Sequence, residues 1–244
     1  MNVLLAMVGY PLAIALIVLA LPVQALLLAA TAPFDRNRAV PGRFLRFVGV
    51  ALSKTFPPWR LRLEGTWPAS RGPFVVVANH QSILDILLLS RVPREMKWVA
   101  KEELFRTPWV GWMLRMSGDI PIRRGDVESG GEALSRAKEY LARGMSVMLF
   151  PEGTRSKTGK LLPFKSGAFR LAVETGAPVL PIAVHGTARG MPKGGPWVNP
   201  CRARARILDP VDPAAFGEAG ANRLRDDVRA RIQAAVDELV ARQD

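Results

Sequence analysis

The sequence predicts an α/β fold: a mixed, largely parallel sheet flanked by helices, with an N-terminal hydrophobic helical segment that binds a membrane. Three observations predict it. Short runs rich in valine and isoleucine alternate with longer helix-like stretches, the order of an α/β layer structure. Two of those runs, 73–79 (PFVVVAN) and 146–150 (SVMLF), lack polar alternation, as strands covered on both faces do. Residues 3–32 contain no charged side chain and are dominated by Leu, Ala, Val and Ile. Pro57-Pro58 marks the division, with residues 1–58 as the attachment segment and residues 59–244 as the α/β domain.

The apolar run exceeds the ~20 residues that a spanning helix needs. A cleaved signal peptide is disfavoured, because no basic region precedes the run and Pro33 would follow a cut at Ala30-Thr31-Ala32. A buried core helix is disfavoured because the run has no polar face. Pro11, Pro22 and Pro33 each remove a helical hydrogen bond, so kinks or a break are expected. Arg36, Arg38, Arg43, Arg46 and Lys54 follow, interleaved with Phe44, Leu45, Phe47 and Val48. This pattern predicts a basic interfacial helix, with cations at headgroup depth and the rest of the chain on the cytoplasmic side.

Further along, strands are expected at 61–65, 73–79, 120–122, 146–150 and 179–185. Helices are expected at 82–90, 128–143 and 166–175. Residues 202–208 alternate charged and apolar, which predicts an edge strand. Leu224, Val228, Ile232, Val236 and Leu239 share one face of a final helix at 222–242.

Thirty-four Lys+Arg against 21 Asp+Glu leave a net charge of +13. Such an excess favours polyanions: nucleic acid, anionic headgroups or phosphorylated substrates. The N-terminal segment chooses lipid, and nucleic acid is set aside as a partner. A single cysteine, Cys201, and two histidines exclude an intramolecular disulfide and a zinc ligand set, so no metal is expected. His185 is read as structural.

The chemistry concentrates in two segments. In Asn79-His80-Gln81-Ser82-Ile83-Leu84-Asp85 a buried strand gives way to a helix, the place where ligands bind in open α/β sheets. An imidazole there can act as general base, with the Asp85 carboxylate reaching back to fix its tautomer. The same residues also fit a capping box with Asp85 at its third position and a strand-end histidine, and the residues alone leave both open. Phe150-Pro151-Glu152-Gly153-Thr154-Arg155 also follows a buried strand. Gly153 permits close backbone approach and Arg155 offers a fork for phosphate oxygens, although a plain surface turn accounts for it as well. A P-loop is excluded by one residue too many in the spacing and by Leu161 where Ser or Thr is required.

Together these segments resemble the glycerolipid acyltransferase family, in particular its 1-acyl-sn-glycerol-3-phosphate (lysophosphatidic acid) acyltransferases. His80 and Asp85 match the NHxxxxD block, Gly118 to Arg124 the second block, Glu152 to Arg155 the EGTR block, and Val179-Leu180-Pro181-Ile182 the fourth. Lys165 and Gly167 (PFKSGAF) resemble the segment between the third and fourth blocks. The resemblance covers residues 61–186. One departure is Arg123, where the family has an acidic residue, so the arginine facing substrate is left open between Arg123 and Arg124.

The resemblance implies an α/β acyltransferase domain at 59–244, acting on the free hydroxyl of lysophosphatidic acid to make phosphatidic acid in phospholipid synthesis. His80 would take the hydroxyl proton and Asp85 would orient it. Arg124 or Arg123, Arg155 and Lys165 would hold the phosphate, with Glu152, Gly153 and Thr154 shaping the pocket. No cofactor is implied; acyl-CoA or acyl-carrier protein is the donor substrate. The partners are then membrane lipids, the lysophospholipid acceptor and acyl-carrier protein, at the cytoplasmic face of a bacterial inner membrane. Alternatives are another lysolipid acceptor, such as lyso-ornithine lipid, and a non-catalytic basic membrane-bound binding module.

Overall fold

The computed structural model describes residues 3–70, 72–156, 158–194, 198–217 and 219–242. Helix α1 (Val3–Thr31) runs unbroken through Pro11 and Pro22, contrary to the expected break. Each proline forfeits one hydrogen bond yet holds φ at a helical value, and the surrounding Leu and Ala favour helix. The helix is long and apolar enough to cross a membrane by length and composition. Its Met7, Leu12, Leu19 and Leu26 are exposed. Gln24, its one buried polar residue, donates to the carbonyls of Pro41 and Met113, both at 3.1 Å.

Helix α2 (Ala39–Lys54) begins where the Asp35 carboxylate accepts from the amides of Ala39 and Val40, each at 2.8 Å. Arg36, Arg38, Arg43 and Lys54 are exposed. Arg46 corrects the expected collar of interfacial cations. It is buried, 2.6 Å from Asp119 and 3.7 Å from Glu95, and its guanidinium lies over the Trp98 ring.

The α/β domain then follows as β1 (Trp59–Glu64), β2 (Val75–Ala78), α3 (Leu84–Leu89), β3 (Lys97–Lys101), α4 (Glu102–Arg106) and α5 (Val110–Ser117). It continues through β4 (Ile120–Ile122), α6 (Val127–Ala142), β5 (Val147–Leu149), α7 (Gly167–Thr175), β6 (Val179–His185) and α8 (Thr187–Gly190). It closes with β7 (Cys201–Ile207), a 3-10 turn (Pro213–Phe216) and α9 (Ala221–Ala241). Among the described residues the strands form one sheet in the order β1-β7-β6-β2-β5-β3-β4. Every pairing is parallel except β6 with β7, which is the mixed, largely parallel sheet expected.

β7 is not an edge strand, because β1 pairs with it from Cys201 to Arg206 and β6 covers its other side. Its alternation reports one open face rather than an open edge: Arg202, Arg204 and Arg206 point away from the core while Cys201, Ala203 and Ala205 are buried. β2 is central and fully buried, as its valines predict. Val75 and Val77 pack with α6, α7 and α9, and Val76 and Ala78 pack with α3. The five apolar residues expected along α9 are all buried.

Removing Arg46 strands two buried carboxylates, so Arg46→Ala is expected to cost about 3 kcal/mol of stability. Thermal unfolding of the purified protein in detergent reads this; an unchanged midpoint would contradict the structural role.

Candidate active site

Where β2 ends, Asn79 docks on β6 at two points: its amide donates to the Val184 carbonyl at 2.8 Å and its oxygen accepts from the Val184 amide at 2.7 Å. The next residue is thereby held at the carboxyl edge of the sheet. His80 is 6% exposed, and its backbone is fixed on both sides. Its amide donates to Glu152 Oε1 at 2.8 Å, and its carbonyl accepts from the Ser156 amide at 2.8 Å. Its ring stacks on Phe150, with centroids 4.0 Å apart and planes 19° apart.

His80 Nδ1 lies 2.7 Å from Asp85 Oδ2. That same oxygen accepts from the amides of Gln81 (2.7 Å) and Ser82 (3.0 Å), and Oδ1 accepts from the Thr187 hydroxyl. An ionised carboxylate only accepts, so the proton is assigned to Nδ1 and the lone pair to Nε2. The two roles left open in the sequence are therefore realised together. Asp85 satisfies the amides leading into α3 and orients the imidazole with the same oxygen.

The segment after β5 supplies the rest. Glu152 turns its carboxylate toward backbone. Oε1 takes the His80 amide and Oε2 the Leu162 amide at 3.2 Å, bracing two loops. Burial pushes its carboxyl up to about 7, against the opposing pull of those amides. Gly153 adopts φ +67°, and a Cβ there would meet the Lys165 side chain at 3.0 Å. Thr154 accepts from Lys193 Nζ at 3.1 Å, and the Arg155 carbonyl accepts from the same ammonium at 2.9 Å. Thr154 thus serves to pin this turn.

The two candidate arginines after β4 differ in state. Arg123 is engaged by Glu102 at 3.0 Å and Asp126 at 2.7 Å. Arg124 and Arg155 have no carboxylate within 4.0 Å among the described residues. Burial, and next the charge of Arg155, hold the Arg124 pKa below its ordinary value. Arg124, Gly153 and Lys165 line a cleft of about 530 Å³ whose apolar wall includes Ile122, Leu149 and Phe150. On another side, Ile83, Ile86 and Leu87 line an apolar cavity of about 350 Å³ shared with Ile14, Leu45 and Met113.

Asn79, Phe150, Thr187 and Lys193 escaped the sequence argument as site-builders. Asn79 lies inside the NHxxxxD block and Phe150 just before the EGTR block, so both could have been found there. Thr187 and Lys193 reach the site from 102 and 39 residues away and leave no local signal.

Lowering Glu152's proton affinity to an ordinary carboxyl's is what unfolding would do. Its folded pKa is raised, so its contribution to stability is intact below about 4.5 and is lost as pH rises through about 7. Wild type should lose more stability than Glu152→Gln across that window, and parallel pH profiles in denaturant titrations would contradict it.

Residues 60–185 match the family model described as Acyltransferase. A chloroplastic 1-acyl-sn-glycerol-3-phosphate acyltransferase of Brassica napus is 38% identical over 202 residues, 82% of this chain and 57% of its own length. A 1-acyl-sn-glycerol-3-phosphate acyltransferase of Pseudomonas aeruginosa is 32% identical over 216 residues, covering 88% of this chain and 82% of its own. The crystal structure of the 1-acyl-sn-glycerophosphate acyltransferase PlsC from Thermotoga maritima superposes with a TM-score of 0.80 at 33% identity, over 98% of this chain and 96% of that one. The chain spans about half the length of the plant relatives it matches, 57% and 51%.

Proposed function

The chain belongs to the acyltransferase family, and we propose that it transfers a fatty acyl group from a thioester donor to the free hydroxyl of lysophosphatidic acid, making phosphatidic acid. The observation that carries this is the His80–Asp85 pair at 2.7 Å, whose imidazole stacks on Phe150, a wall residue of the cleft that holds Arg124 and Lys165. The acceptor hydroxyl gives its proton to His80 Nε2 as its oxygen attacks the thioester carbonyl. Asp85 stabilises the imidazolium that forms. The tetrahedral intermediate then collapses: the C–S bond breaks, and the departing thiolate takes the proton from Nε2. No acyl-enzyme is needed.

Arg124 and Lys165 in this cleft, with Arg155, whose charge bears on Arg124, hold the acceptor phosphate; guanidinium forks fit its oxygens and lose little by pairing there. The engagement of Arg123 by Glu102 and Asp126 favours Arg124 for this contact. The apolar cavity beside Ile83 suits an acyl chain. The exposed apolar face of α1 and the exposed cations at the start of α2 support attachment to a membrane at its cytoplasmic face, in a bacterial inner membrane. The donor is acyl-CoA or acyl-carrier protein. Lipids are the partners, and no cofactor takes part.

In acyl-transfer assays with lysophosphatidic acid, His80→Ala should lower kcat by ~10³-fold. Near-wild-type turnover would refute the mechanism. Arg124→Ala should raise KM for lysophosphatidic acid by ~10-fold or more and leave a phosphate-free lysolipid acceptor unaffected. Preference of the wild type for the phosphate-free acceptor would overturn the substrate assignment.

A further inference from the structure

The sheet order puts β2, which carries His80, between two halves: β5, β3 and β4 on one side, and β6, β7 and β1 on the other. The Arg124–Lys165 cleft belongs to the first half. A separate cleft of about 660 Å³ opens on the second, lined by Arg60, Arg189, Arg202, His185, Gln81 and Gly159 among others, with no Asp or Glu in its wall among the described residues. β7 runs antiparallel to β6 with His185 opposite Arg204, and β1 runs parallel to β7, so the first residues of β1 and β7 lie past the end of β6, on the side where the chain leaves it toward Arg189. Arg60 and Arg202 are register partners across that pair, so they share one face. Gln81 directly follows the base, and its side chain bonds the Gly159 carbonyl at 3.0 Å. The inner wall of the cleft is thus one residue from the reacting centre.

Arg60, Arg189 and Arg202 are all exposed, and no residue of α1 or α2 lines the cleft, so it faces water rather than the apolar helix face. Arg60 and Arg189 have no carboxylate within 4.0 Å among the described residues. Two such cations in one cleft wall concentrate anions, and guanidiniums select phosphate oxygens. Of the two substrates, the acceptor's phosphate already has its own arginines across β2. The remaining phosphorylated partner of the reaction is the thiol that leaves.

Resting on the reaction assigned above, we propose that this second cleft binds the phosphate end of the donor's phosphopantetheine arm. Donor and acceptor then reach His80 from opposite halves of the sheet, each held by its own arginines. Coenzyme A and a carrier protein share this chemistry, since both join pantetheine to the rest of the donor through a phosphate ester.

The test uses the full chain in detergent micelles at saturating lysophosphatidic acid. Three donors are compared: acyl-CoA, acyl-carrier protein, and an acyl thioester of N-acetylcysteamine, which carries no phosphate. Arg60→Ala and Arg189→Ala should each raise KM for acyl-CoA about tenfold, with a much smaller change for the phosphate-free thioester. A matching rise with acyl-carrier protein assigns the contact to the shared phosphate ester, and a rise with acyl-CoA alone assigns it to the additional phosphates of the coenzyme. An unchanged KM for acyl-CoA, or equal shifts with and without phosphate, overturns the proposal while leaving the reaction standing. If wild type transfers no acyl group, the reaction fails instead. Calorimetry of CoA binding to wild type and to the double variant then decides the cleft: weaker binding by the variant supports it, and equal affinity sinks it.

Discussion

The Asp85 carboxylate is the constraint on which the site depends. It is fully buried, and a charge there must be matched by donors or it will not stay ionised. The donors come from three places: the His80 ring, the amides of Gln81 and Ser82, and the Thr187 hydroxyl at the head of α8. Satisfying this one group turns the chain sharply out of β2, aims the imidazole, and anchors the segment that follows β6. Architecture and chemistry share the same hydrogen bonds, so neither role can be varied without the other.

The arginines sort by how their charge is met. Arg46 is neutralised inside the protein and joins α2 to the loops before β3 and β4. Arg123 is spent on Glu102 and Asp126. Arg124 and Arg155 have no carboxylate within 4.0 Å among the described residues, and the charge of Arg155 bears on Arg124. A net excess of positive charge therefore says little by itself; what matters is which cations lack a partner and what surface they share.

Much of this was legible in the sequence, and the misses have physical causes. β4 and β6 fall on the residues expected of them, because short runs of Ile, Val and Leu leave few alternatives even around Pro121 and Pro181. β3 (KWVAK) was hidden by its lysines. Lys97 is fully buried, and its ammonium is satisfied by the carbonyls of Arg38 and Ser117 and by Glu95, partners that only the folded chain assembles. Arg46 misled for the same reason, since Asp119 lies 73 residues away. The pairing of His80 with Asp85 could be read from a spacing of five, whereas the contribution of Thr187 could not. Glu152 sits inside a matched motif, yet its carboxylate turns toward amides, a direction that no pattern of residue types encodes.

Gln24 is a lone amide in an otherwise greasy cylinder, and it clasps one carbonyl from α2 and one from α5. Sliding α1 by a turn, or spinning it about its axis, would leave that amide stranded where no water can replace the lost contacts. The helix is thus keyed rather than merely sticky. Its azimuth and draught are set against the globular body by that clasp, so in the membrane attachment proposed above the height of His80 would follow from the protein rather than from the bilayer.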